Sequence, residues 1–173
     1  MKKVIFLTGA TGIVGANLLV RILERDKTAK VVALIRANFE KHPRQRLEDV
    51  LHIISPDLNN EIWSRIQAVS GDITLENLGI DDALYSEFSE RVTHIIHSAA
   101  SVQFQLPLEE ARRINFQCTE NVMSLAKEAY RIGRLQRVAY ISTAYVAGKK
   151  SGRIYEDELE GLHGFSNTYE RTK

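Results

Sequence analysis

The sequence predicts an α/β protein built on a doubly wound parallel sheet. Three observations carry this. Short β-rich runs alternate with stretches of helical periodicity along the 173 residues. The strand runs are apolar on both faces, as strands covered by helices on two sides must be. A glycine-spaced turn, Gly9-Ala10-Thr11-Gly12-Ile13-Val14-Gly15, joins the first apolar run to the first helical one.

The elements follow in order. Val4 to Thr8 reads as strand one. Ile13 to Arg25 reads as a helix, its apolar side expected at Ile13, Val14, Leu18, Leu19, Ile22 and Leu23. Lys30 to Ile35 reads as strand two. The connection over residues 36–65 is too long to lack structure of its own. Its apolar residues, Leu47, Val50, Leu51, Ile53 and Ile54, then Ile62 and Trp63, predict one or two short helices interrupted at Pro56. Ile66 to Val69 is strand three and Thr93 to His97 strand four. Leu108 to Tyr130 is a long helix with a stripe at Ile114, Cys118, Val122, Leu125, Ala126 and Ala129. Arg137 to Ser142 is strand five. Right-handed crossovers between successive parallel strands give a Rossmann-like sheet of order 3-2-1-4-5.

Composition narrows the class. Hydrophobic residues make up 44% and charged residues 26%, the proportions of a globular domain, and the length fits one domain. Basic and acidic residues number 23 and 22, so no global charge points to nucleic acid or a membrane surface. The single cysteine, Cys118, excludes an internal disulfide and fits a reducing compartment. Cysteine and histidine spacing offers no metal site. The start, Met1-Lys2-Lys3 and an apolar run, is not read as a signal peptide: Gly9, Gly12, Gly15 and Asn17 interrupt it and no small-residue cleavage site follows. No run has the ~20 apolar residues of a membrane span. A cytoplasmic protein is expected.

Gly9, Gly12 and Gly15 sit between a strand and a helix, the context in which this spacing becomes a dinucleotide cradle. Glycines allow the tight turn and close approach of a pyrophosphate, while the helix start offers free N–H groups and partial positive charge. Thr11 and Ile13 are expected to add backbone contacts. At the end of strand two, where an acid would hold the ribose 2′-hydroxyl of NAD, stands Arg36. An arginine fork suits a 2′-phosphate, with Arg46 assisting, so NADP is the expected cofactor. Asp72 and Ile73, after strand three, are candidates for the adenine end; Asp72 as a mere turn cap is the bland alternative. After strand four, Ala99, Ala100 and Ser101 are small enough to pass close to the ribose and pyrophosphate. His97 reads as a packed, hydrogen-bonded strand-end residue. Asn115 reads equally as a brace for the strand-four loop or as a catalytic group.

The second motif is Tyr169-Glu170-Arg171-Thr172-Lys173, downstream of Ser142-Thr143. On a helix, residues four apart share a face. A tyrosine donates a proton to a developing alkoxide, and an adjacent ammonium favours its phenolate. Lys173 is therefore expected to support Tyr169 and to hold the nicotinamide ribose. Thr143 is expected to hydrogen-bond the substrate carbonyl oxygen.

These residues together resemble the extended short-chain dehydrogenase/reductase superfamily, and within it the thioester-reductase and fatty acyl-CoA reductase branch with its male sterility type NAD-binding domain. The resemblance rests on Phe6-Leu7-Thr8-Gly9-Ala10-Thr11-Gly12, Leu34-Ile35-Arg36-Ala37, Arg46-Leu47, Gly71-Asp72-Ile73 with Leu78-Gly79-Ile80, Ile95-Ile96-His97-Ser98-Ala99-Ala100-Ser101-Val102-Gln103-Phe104, and Ser142-Thr143-Ala144-Tyr145-Val146-Ala147-Gly148. It implies NADPH-dependent reduction of a CoA-bound or carrier-bound acyl thioester to aldehyde or alcohol. It implies the acid role for Tyr169, supporting roles for Lys173 and Thr143, and the 2′-phosphate role for Arg36. Such proteins continue past the Tyr-Lys helix into further strands and a substrate region, so residues 1–173 are expected to be the N-terminal, cofactor-binding part of a longer protein. Two other readings stay open: a nucleotide-sugar epimerase or dehydratase, or hydroxysteroid-type dehydrogenase, on the same scaffold; and a non-catalytic NADP-binding module.

Overall fold

A computed structural model describes residues 2–36, 41–158 and 163–173. Ala37, the last residue of the Leu34–Ala37 motif, lies outside the described residues. Five parallel strands, β1 (Val4–Thr8), β2 (Lys30–Ile35), β3 (Ile66–Ser70), β4 (His94–His97) and β5 (Arg137–Tyr140), form one sheet in the order β3-β2-β1-β4-β5. Side chains alternate across each strand. Ile5, Leu7, Val31, Ala33, Ile35 and Ile66 face one apolar cluster. Phe6, Val32, Leu34, Val69 and Ile95 face the other. The two clusters make the two cores of a three-layer sandwich.

The first layer is α1 (Ile13–Arg25), α2 (Pro43–Ile54) and α3 (Asn60–Trp63), the last two on either side of Pro56 as expected. The buried face of α1 is Gly15, Ala16, Leu19, Val20 and Leu23. Ile13 and Val14 are instead 82% and 50% exposed, which corrects the expected stripe at its start. The helix enters against the glycine turn, and only small residues fit there. Arg65, just before β3, closes the other end. Its Nη2 donates to Leu23 O at 2.8 Å and its Nη1 to Asp26 O at 2.9 Å, satisfying carbonyls that the last turn of α1 leaves open.

The second layer holds α4 (Asp82–Arg91), which the hydrophobic pattern did not reveal. Asp81 caps it by accepting from Leu84 N at 2.9 Å, and Phe88 packs on Phe6 with ring centroids 5.8 Å apart. Burying one such ring contributes roughly 2–3 kcal/mol. The long helix expected over Leu108–Tyr130 is present but not uniform. It runs as α5 (Leu108–Arg112), a π-helical turn (Arg113–Gln117) and α6 (Cys118–Arg131). β5 ends at Tyr140 rather than Ser142, and Thr143 caps a 3-10 turn over Ala144–Ala147. The short α7 (Thr168–Thr172) carries the Tyr-Lys motif and packs against α5, the π turn and the 3-10 turn.

Candidate active site

The glycine turn is built for close approach. Gly9 has φ +73°, and a Cβ there would lie 2.7 Å from Ala99 N and 2.8 Å from Ser98 C. The turn is thereby pressed against the segment leaving β4. Gly15 is buried; a Cβ on it would meet Gly9 O at 2.1 Å, so its hydrogen lets α1 sit on the turn. Gly12 caps α1 with extended backbone and no side-chain hydrogen bond, leaving the first helical amides for an anion.

Above this turn, at the C-terminal edge of the sheet, lies a cleft of about 550 Å3, within the range of small-ligand sites. Gly9, Thr11, Gly12, Arg36, Arg46, Asp72, Ile73, Ala99, Ala100 and Ser101, the residues expected at the cofactor, all line it. Three expected contributors do not: Ile13, Gly15 and Lys173, the residue expected at the nicotinamide ribose. Ile13 points outward from the first turn of α1, and Gly15 lies beneath the turn. Sequence reasoning missed Gln103, Glu110 and Ile114, which also line the cleft. The four-residue spacing of Glu110 and Ile114 on one helix was the available signal.

At one end of the cleft the two arginines meet: an Arg46 Nη1 hydrogen donates to the Arg36 carbonyl oxygen. Arg46 thereby fixes the backbone at the end of β2, and Arg36 remains an exposed guanidinium. Asp72 closes the neighbouring loop. Its Oδ1 accepts from Thr74 N and Thr74 Oγ1, both at 2.8 Å, so the turn-capping role is present in the same residue that lines the cleft. Asn121 of α6 donates to Ile73 O at 2.8 Å and Leu75 O at 3.1 Å, holding this loop against the second layer.

The proton-transfer candidates gather at the end of β5. Lys173 Nζ donates to Ile141 O at 2.8 Å and lies 4.3 Å from the centroid of the Tyr140 ring. Two residues past Ile141, Thr143 Oγ1 accepts from Tyr145 N at 3.2 Å; its hydroxyl proton is left to donate. Tyr169 is buried, with its ring 5.5 Å from that of Phe104, which in turn meets Tyr145 edge-on at 6.2 Å. Thr143 and the Lys173 ammonium thus both stand by the chain leaving β5, and Tyr169 reaches the same region through Phe104 and Tyr145; none of the three lines the cleft itself. The segment after β4 links the two regions, with Ala99 to Ser101 on the cleft and Phe104 on Tyr169.

Asn115 pins that segment. Its Oδ1 accepts from Ser101 N at 2.8 Å, and its Nδ2 donates to Ser101 O at 3.2 Å and to Thr172 Oγ1 at 3.1 Å. It sits in the π turn and is buried, so the bracing role is the one its contacts express. His97 is buried and hydrogen-bonded, as read from the sequence.

Residues 7–173 match the model of the family described as Male sterility protein, an NAD-binding domain family. The chain belongs to this family. It is 32% identical to the L-2-aminoadipate reductase of Schizosaccharomyces pombe, over 82% of this chain and 10% of that protein. It is 32% identical to the fatty acyl-CoA reductase wat of Drosophila melanogaster, over 94% of this chain and 32% of that protein. The crystal structure of the terminal R domain from the myxalamid PKS-NRPS biosynthetic pathway superposes with a TM-score of 0.86 and 31% identity, covering 98% of this chain and 42% of that one. The male sterility domain described here therefore lies in the thioester and fatty acyl-CoA reductase branch of the extended short-chain dehydrogenases, and spans well under two thirds of each of these relatives.

Proposed function

We propose that this chain is the NADPH-binding part of a reductase that acts on the thioester carbonyl of an acyl group carried by CoA or a carrier protein. The observation that carries this reading is the pairing of two sites through one segment: a glycine-floored cleft with arginines at its end, and Thr143, Tyr169 and Lys173 at the end of β5.

The cleft fits a dinucleotide phosphate on its own geometry. Gly9 and Gly15 have no room for a side chain, the amides at the start of α1 are left for a pyrophosphate, and Arg36 is the cation for a 2′-phosphate. Asp72 and Ile73 stand at the adenine end, and Ala99, Ala100 and Ser101 along the ribose and pyrophosphate. The cofactor, when bound, supplies a hydride. The chain's own residues manage the substrate oxygen. The Thr143 hydroxyl donates to it, Tyr169 delivers the proton, and Lys173, fixed on Ile141 O, holds positive charge at that end of the sheet. Loss of the thiol leaves an aldehyde, and a second reduction gives the alcohol.

Titration with NADPH and NADH tests the cofactor reading. Tighter binding of NADPH is expected, with Arg36→Ala reducing the preference roughly tenfold or more, the worth of one charge-assisted hydrogen bond. An unchanged NADPH/NADH ratio removes Arg36 from the role. Aldehyde formed from an acyl thioester with matching NADPH consumption, by a protein containing this domain, tests the reaction.

A further inference from the structure

The segment after β4 has two sides. Ala99, Ala100, Ser101 and Gln103 line the cofactor cleft, whereas Val102 and Phe104 do not. Val102 is 70% exposed and Phe104 49%. Phe104 does not stand alone: its ring touches those of Tyr169 and Tyr145, and Tyr145 is itself 57% exposed. Single exposed apolar side chains are ordinary, but two exposed rings in contact with each other, one of them packed on Tyr169, and a third exposed apolar residue two positions away in the chain, are a feature to be explained.

The group is also held in place. Thr168, the first residue of α7, donates to Phe104 O from its backbone N at 3.3 Å and from Oγ1 at 3.0 Å. The same Oγ1 lies 2.9 Å from Leu106 O. Tyr145 is tied through its backbone N to Thr143 Oγ1. The aromatic surface therefore moves with the two residues placed on the substrate oxygen, Thr143 and Tyr169.

We propose that Val102, Phe104 and Tyr145 form the platform that receives the hydrocarbon chain of the acyl thioester and set the preference for its length. The inference rests on the thioester-reductase reading above. The cleft side of the segment is given to the cofactor. An acyl chain whose carbonyl lies between Thr143 and Tyr169 must leave on another side, and on the side of Phe104 it meets the exposed side chains of Val102, Phe104 and Tyr145. None of the three platform residues carries a charge, so the surface suits an aliphatic chain rather than an anionic head.

The test uses the chain saturated with NADP+, which cannot give up a hydride and keeps the cleft filled against the nucleotide of CoA. Butyryl-, hexanoyl-, octanoyl- and decanoyl-CoA are titrated in turn, so that only the chain changes. Affinity is expected to rise about twofold or more per added methylene, as partial burial of each group requires. Phe104→Ala is expected to flatten that dependence and Phe104→Leu to keep most of it. Because Phe104 also supports Tyr169, Val102→Asp provides an independent variant at a residue outside that ring stack, and it too is expected to flatten the dependence. Equal affinity for all chain lengths, or a dependence unmoved by both Phe104→Ala and Val102→Asp, overturns the platform. Failure of NADPH to bind, read in the separate cofactor titration, overturns the reductase reading and the platform with it.

Discussion

Thr8 Oγ1 and His97 Nδ1 lie 2.6 Å apart, joining the last residue of β1 to the last residue of β4. The surrounding bonds give this contact a direction. Thr119 Oγ1 donates to Asn115 O at 2.8 Å, so at 3.2 Å it accepts from His97 Nε2. Nε2 thus carries a proton, and in the neutral ring that burial favours, Nδ1 accepts from Thr8 Oγ1. The relay runs from the strand beneath the glycine turn to the π turn that bears Asn115.

A pH dependence of stability follows. Burial, aided by the Lys173 ammonium, pushes the His97 pKa down from 6.5 to about 4. The unfolded chain then binds the extra proton between these values and the folded chain does not. The contribution is complete above pH 6.5 and declines as pH falls to about 4, by roughly 3 kcal/mol at most. Chemical denaturation across this window, in the wild type and in His97→Gln, measures it. A variant that retains the full slope assigns the dependence to other groups.

Asn115→Ala should loosen both ends of the bridge it makes. Ser101 N and Thr172 Oγ1 lose their shared partner, at an expected cost of roughly 2–3 kcal/mol. Hydrogen exchange in residues 168–173 should quicken and NADPH affinity should fall together. Faster exchange with unaltered cofactor binding would confine Asn115 to the α7 side.

Gly15→Ala places a methyl group where only 2.1 Å separates it from Gly9 O. The obstacle is backbone, so relief requires α1 to lift off the turn. A loss of about 1–3 kcal/mol in stability is expected, together with weaker NADPH binding. Melting curves with and without cofactor separate the two effects, and a variant as stable and as tightly binding as the parent contradicts the packing argument.

Five residues make a helix that cannot stand by its own propensity, so α7 depends on its cap. Asn167 Oδ1 accepts from Glu170 N at 2.9 Å, while Glu170 accepts from Ser166 N at 2.7 Å and Asn167 Nδ2 at 2.9 Å. Glu170→Ala removes the returning half of this arrangement, at about 1 kcal/mol. Exchange at Tyr169 to Lys173 should rise while the glycine turn stays protected; unchanged protection of α7 would show it to be held by its tertiary contacts at Thr168, Thr172 and Lys173 rather than by its cap.

Much of this was legible because it is local or periodic. The glycine turn declares itself by spacing, and the strands by runs that must be covered on both sides. The sheet order followed from handedness. What was hidden depends on contacts far apart in the chain. α4 has a weak apolar face, with Phe88 and Ser89 as its buried residues, and the decisive contact is to Phe6. Arg65 looks like a surface residue until β3 brings it under the end of α1. The placement of Ile13 was misread because apolar character was taken for burial, whereas the glycine turn sets the helix so that small residues face inward. The meeting of Phe104 with Tyr169 spans 65 residues and leaves no pattern in either segment.

The π turn over Arg113–Gln117 carries one more residue in its loop than an α-helical turn would. Deleting any single residue there would leave composition and hydrophobic pattern nearly intact. Everything before it would nevertheless swing by roughly 100° relative to α6, taking Glu110 and Ile114 off the cleft wall. The interval between His97 and Cys118 therefore works as a ruler. Its length is under tighter constraint than the identity of most residues within it, and an insertion or deletion there would be harsher than many substitutions.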